Sequence, residues 1–125
     1  MMELTIDNTV YEFQFGMGFM REVNKMAKVP VDGMPGIEQE VGLRYMIAKV
    51  IDGEPDALVD ILFAANKGRK PRVTRQILDE YIDQEDTNID ALFDETLDFL
   101  EEANATKKTM KRMKDALKEA NPEQN

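Results

Sequence analysis

The 125-residue chain has no cysteine, no histidine and no tryptophan. Without cysteine there is no disulfide framework, thiolate nucleophile, zinc–thiolate site or iron–sulfur cluster. Without histidine there is no Ser-His-Asp triad and no imidazole metal ligand, and the commonest acid/base side chain near neutral pH is missing. No apolar run approaches the roughly 20 residues of a membrane span. The opening Met1-Met2-Glu3-Leu4-Thr5 lacks the basic and apolar regions of a signal peptide, so the expected location is cytoplasmic. Basic charge is the minority: 16 Lys and Arg stand against 25 Asp and Glu, a net charge of -9. Phosphate binding needs a positive field, so nucleic acid is not an expected partner.

What is present suits one soluble domain with a modest core: 42% hydrophobic and 33% charged residues. Leu4 and Ile6, then Tyr11, Phe13 and Phe15, alternate with polar residues around Asp7-Asn8-Thr9 and predict a β-hairpin. A two-residue loop sets Leu4 opposite Tyr11; a four-residue loop sets Ile6 opposite Tyr11. Both gather the apolar side chains on one face, whereas a three-residue loop scatters them. Helical periodicity follows over Gly16 to Lys28 (Phe19, Val23, Met26, Ala27) and Ile37 to Ile51 (Ile37, Val41, Tyr45, Ala48, widened by Leu43, Met46, Ile47 and Val50). Between them Val29 to Gly36, with two Pro and two Gly, reads as a loop. A third helix starts at Pro55, carries Leu58, Ile61, Leu62 and Ala65, and ends at Asn66-Lys67-Gly68. A fourth starts near Thr74, and a fifth follows Thr87, whose spacing to Asp90 suggests a capping box. A last helix, Thr106 to Ala120, carries Met110, Met113 and Leu117 among Lys and Arg. The expected fold is α+β and predominantly α-helical: an N-terminal β-hairpin followed by five or six helices. Residues 1–105 are expected to form a globular domain, and 106–125 a basic C-terminal helix with a frayed tail.

Charge is segregated along the chain. Lys67 to Arg75 has five basic residues and no acid; Gln76 to Thr106 has eleven acids and no base; Lys107 to Lys118 has six bases and one acid. Such blocks are either solvated and compensated within the chain or used between chains.

Motifs for small-ligand chemistry fail. Asp83 to Asp94 lacks the Gly at position six and the Glu at position twelve of a calcium loop. Gly16-Met17-Gly18 has Arg21 where a dinucleotide fingerprint needs Gly, and no βαβ unit surrounds it. Gly68 to Thr74 offers at most a weak anion site before a helix. Nine Met residues serve as core filler, or as adaptable surface for variable apolar partners.

Over Glu3 to Met110 the chain resembles the tail assembly chaperones of long, non-contractile-tailed phages and prophages of Gram-positive bacteria. The resemblance rests on Tyr11-Glu12-Phe13-Gln14-Phe15-Gly16-Met17-Gly18-Phe19, the Pro/Gly run Val29 to Gly36, Asp52 to Leu58, Ala64 to Gly68, Asp94 to Leu100 and Asn104 to Lys108. It implies a non-enzymatic assembly factor with no catalytic residues and no cofactor. Such a factor binds the tape measure protein, keeps it soluble, promotes tail tube assembly around it, and is absent from the mature virion. The major tail tube protein is a further implied partner, and charge segregation adds an expected homo-oligomer. The expected contact residues are Phe13, Phe15, Phe19, Met34, Met110 and Met113, although each aromatic is also a natural core residue. The alternative is an acidic adaptor or nucleic-acid mimic that occupies a basic protein partner through the acidic helices.

Overall fold

In the computed structural model, which describes residues 1–120, Asp7 and Asn8 turn the first hairpin with φ of 49° and 64°. These are the left-handed values a two-residue hairpin turn demands and that Asp and Asn tolerate. β1 (Met2–Ile6) and β2 (Thr9–Phe13) pair antiparallel with Leu4 opposite Tyr11, which selects the two-residue loop over the four-residue one. Met2, Leu4, Ile6, Tyr11 and Phe13 all face inward. A lone hairpin is marginal in water; this one is covered by helices, and the Gln14 N–H donates to the Ala65 carbonyl at 2.9 Å.

Six helices follow, giving the predominantly helical α+β fold. α1 (Met17–Asn24) buries Phe19 and Val23 and stops short of the expected Lys28. α2 (Gly42–Ile51) starts five residues later than its periodicity suggested and turns Leu43, Met46, Ile47 and Val50 inward. Tyr45, assigned to its apolar stripe, is exposed. α3 (Pro55–Ala65) is the central helix, with Ala57, Leu58, Ile61 and Leu62 all fully buried. α4 (Arg75–Asp83) is capped by Thr74, whose hydroxyl accepts from the Ile77 N–H at 3.1 Å. α5 (Ile89–Glu102) is capped by Asn88, which accepts from the Ala91 N–H at 3.0 Å. The expected Thr87–Asp90 box does not form, because the Thr87 hydroxyl donates backward to the Tyr81 carbonyl at 2.6 Å. α6 (Lys107–Ala120) packs on α2 and α5 and buries Met110 in the common core. The expected frayed tail, 121–125, lies outside the described residues.

Two polar or close-packed positions hold this arrangement. Asn66 is fully buried and uses its whole amide: Nδ2 donates to the carbonyls of Glu12 (2.9 Å) and Pro71 (3.3 Å), while Oδ1 accepts from the Val73 N–H (2.7 Å) and Arg72 Nη1 (2.9 Å). It thereby ties β2, α3 and the loop before α4 together. Gly42 begins α2 against the end of α1: a Cβ built there would lie 2.0 Å from the Val23 carbonyl oxygen. Beside it the Leu43 N–H donates to Asn24 Oδ1 at 3.3 Å, so a side chain of α1 caps α2.

Candidate partner-binding surfaces

Between α1 and α2 the expected loop is a second hairpin. β3 (Lys28–Pro30) and β4 (Glu38–Glu40) pair antiparallel, Val29 opposite Gln39. Pairing captures residues 37–41, and this is why α2 begins late. Every residue from Lys28 to Glu40 is exposed except the half-buried Val31, so the hairpin is an arm projecting from the body. Gly33 and Gly36 near its tip adopt φ of 75° and 82°, which bend the chain around Met34.

The arm has two unlike faces and two unlike edges. Val31 donates its N–H to the Ile37 carbonyl and Val41 to the Ala27 carbonyl, so the 31/37, 29/39 and 27/41 pairs point their backbone groups inward. Side chains alternate, placing Val29, Val31 and Ile37 on one face and Lys28, Pro30, Glu38 and Glu40 on the other. Val29, Met34 and Ile37 are 42%, 51% and 50% exposed. The outward backbone groups belong to residues 28, 30, 38 and 40. Pro30 has no N–H to offer, so β3 is a poor edge and β4 is the receptive one.

The residues expected to meet a partner are dispersed. Phe13, Phe15 and Phe19 lie in the core, at 0%, 5% and 4% exposure, and so have almost no surface to offer in this conformation. The Phe15 ring meets Phe19 edge-on at a centroid distance of 5.0 Å and tilts against Phe99 at 6.0 Å. Phe13 and Phe15 only floor a shallow groove of about 330 Å³ beside Met1 and Phe99. Met110 is buried, Met113 is partly buried, and Met34 alone of the six stands free at the arm's tip. Val29, Ile37 and Tyr45 were not singled out from the sequence as contacts. A Val-x-Val and Ile-x-Gln-x-Val alternation around the Pro/Gly run was the available signal.

Perturbed ionisation follows surface ion pairs, not a reactive cluster. The Lys67 ammonium, hydrogen-bonded to Glu22 at 2.6 Å, lowers the Glu22 carboxyl below its usual range. Lys49 and Asp56, paired at 2.9 Å, shift each other up and down respectively through that hydrogen bond. Arg72 is lowered, mainly by burial; it stacks 4.2 Å from the Phe63 ring, as does Arg75. Among the described residues no group of three acidic, His or Cys side chains is placed to hold a metal ion, and no helix is long and apolar enough to cross a membrane.

The described residues form a small helical body with a projecting, half-apolar arm. Residues 3–114 match the family described as phage tail assembly chaperone protein, TAC, and the chain belongs to that family. Neither the curated proteins nor the solved structures contain a match.

Proposed function

We propose that this chaperone binds the tape measure protein through its arm, keeps it soluble, and promotes tail tube assembly around it. It makes and breaks no covalent bond, acts in the host cytoplasm, and works as a homo-oligomer. The observation that carries the reading is the arm itself, within a chain that matches the family over residues 3–114. A long helical partner exposes apolar stripes before it is sheathed. Val29, Met34 and Ile37 offer an apolar face against such stripes, and the net charge of -9 keeps coated complexes apart.

Co-expression tests this. Wild type should raise the soluble fraction of the tape measure protein, and the Met34→Asp/Ile37→Asp variant should lose most of that effect while keeping its own melting temperature. Equal solubilisation by the variant removes the arm from the mechanism. The acidic-adaptor reading draws on the exposed carboxylates of α4 and α5. It predicts that pull-down recovers a basic nucleic-acid-binding protein, with no tape measure protein.

A further inference from the structure

The arm offers backbone groups as well as side chains. Pairing of Val29 with Gln39, and of Val31 with Ile37, turns the N–H and C=O of Glu38 and Glu40 away from β3. The sheet ends there: among the described residues no third strand pairs with β4, and every residue of β4 is exposed. The outer edge therefore presents donors and acceptors that nothing in the chain uses. The opposite edge is closed, because Pro30 stands on it without an N–H.

The side chains beside the open edge define the strand that fits. Glu38 and Glu40 stand on one face of the arm, and Ile37 stands on the other with Val29 and Val31. Lys28 is the only base between residues 28 and 40, against Asp32, Glu38 and Glu40. Neither glutamate forms an ion pair among the described residues. A second copy of β4 laid antiparallel along the first would set glutamate against glutamate, which is unfavourable. The edge thus rejects its own kind. A strand with Lys or Arg facing Glu38 and Glu40, and apolar residues between them, gains opposite-charge pairs on one face. On the other it extends the apolar surface of Ile37.

We propose that β4 accepts an extended segment of the partner by strand addition, with basic residues opposite Glu38 and Glu40 alternating with apolar residues on the Ile37 face. This rests on the reading that the arm meets the tape measure protein, and adds that the segment seated on this edge is extended, not helical. Backbone bonds hold a strand of any sequence there; the alternation supplies the choice. In antiparallel pairing each basic residue lies about 5.5 Å from its glutamate between Cα atoms, within reach of both side chains.

Short synthetic peptides test this on the full-length chain, read by amide shifts and hydrogen exchange. One alternating Val and Lys should shift and protect the Glu38 and Glu40 N–H groups. Its twin with Glu for Lys should bind roughly tenfold or more weakly, since two favourable cross-strand pairs become unfavourable. A peptide of the first one's composition, its lysines consecutive, controls for bulk charge and should protect neither amide. Glu38→Lys/Glu40→Lys should reverse the preference between the first two. Glu40→Pro removes an outward N–H without touching a ladder bond, as Pro30 does on β3, and should lose both; Glu40→Gln should keep the Lys peptide at reduced affinity. The lysine variant changes only exposed side chains and carries the test if Glu40→Pro lowers the melting temperature. Equal affinity for any two of the three peptides, no protection at residues 38 and 40, or an unreversed preference would each overturn strand addition. Co-expression separates it from the arm reading. If Met34→Asp/Ile37→Asp abolishes solubilisation while a folded Glu40→Pro leaves it at the wild-type level, the arm contact stands and strand addition falls. If the peptides bind as expected while Met34→Asp/Ile37→Asp solubilises fully, strand addition stands and the arm reading falls.

Discussion

Replacing Gly42 by alanine opposes two effects of different size. Taken as an ordinary helix residue, Gly42→Ala should stabilise the protein by up to about 1 kcal/mol through helix propensity. The structure demands the opposite sign. The new methyl would sit 2.0 Å from the Val23 carbonyl oxygen and 2.9 Å from that of Asn24. Both obstacles are backbone, so no rotamer change relieves them; α1 and α2 must separate by more than an ångström. Overpacking of this kind costs about 1–3 kcal/mol, and the rigidity of the obstacle puts Gly42→Ala at or above the upper end. At roughly 3–6 °C per kcal/mol for a chain of this size, the melting temperature should fall by about 10–15 °C. The junction also holds the base of the arm, where Val41 donates to Ala27 and Asn24 caps α2. Amide exchange of residues 28–40 should accelerate before the core melts. Urea and thermal unfolding read the first effect, and hydrogen exchange the second. An unchanged or raised melting temperature would refute the close-approach argument.

Asn66→Ala leaves the Glu12 and Pro71 carbonyls and the buried Val73 N–H without their partner, while the Arg72 guanidinium keeps the Phe63 carbonyl, and should cost about 2–4 kcal/mol by urea unfolding. Lys67→Met removes the group that holds Glu22 below its usual range. The Glu22 contribution is present above the unfolded carboxylate pKa and is lost as pH falls through the lower folded value. The variant should therefore be weaker than wild type by at most about 1 kcal/mol at neutral pH, the pair being largely exposed, and equal to it in acid. Pro30→Thr restores an outward N–H on β3 and should increase edge-to-edge association of the arm, seen as greater light scattering at unchanged melting temperature.

The parts of the fold legible in the sequence are those where one periodicity had no rival. Alternation around Asp7-Asn8 could only serve a two-sided strand pair, and Leu58, Ile61, Leu62 and Ala65 could only serve a helix. Residues 37–45 satisfied two patterns at once. Ile37, Val41 and Tyr45 recur at four, as on a helix, while Ile37, Gln39 and Val41 alternate, as in a strand. Backbone pairing with β3 decided it, and that depends on a tertiary contact: Gly42 brings α1 and α2 close enough for the strands to meet. Asn66 read as helix-end punctuation because its four partners come from Glu12 and the 71–73 loop, which local sequence cannot bring near. The aromatic run looked like contact surface because burial depends on α3 and α5 closing over it. Charge segregation was visible, but the scarcity of compensating ion pairs appears only once the helices are placed.

The arm's apolar face is small, and about half of the surface of Val29, Met34 and Ile37 is already covered, so a single arm contact should be weak. Under the proposed homo-oligomer, a second contact on the same long partner becomes intramolecular, and avidity can then exceed a single affinity by roughly 10²–10⁴. The Met34→Asp/Ile37→Asp variant should therefore lose measurable binding both to a partner fragment holding one site and to the full-length partner, whereas wild type should bind the first weakly and the second far more tightly. Titration calorimetry on a short fragment and sedimentation with the long one separate the cases. A variant that keeps the wild-type affinity for the one-site fragment would refute the arm contact.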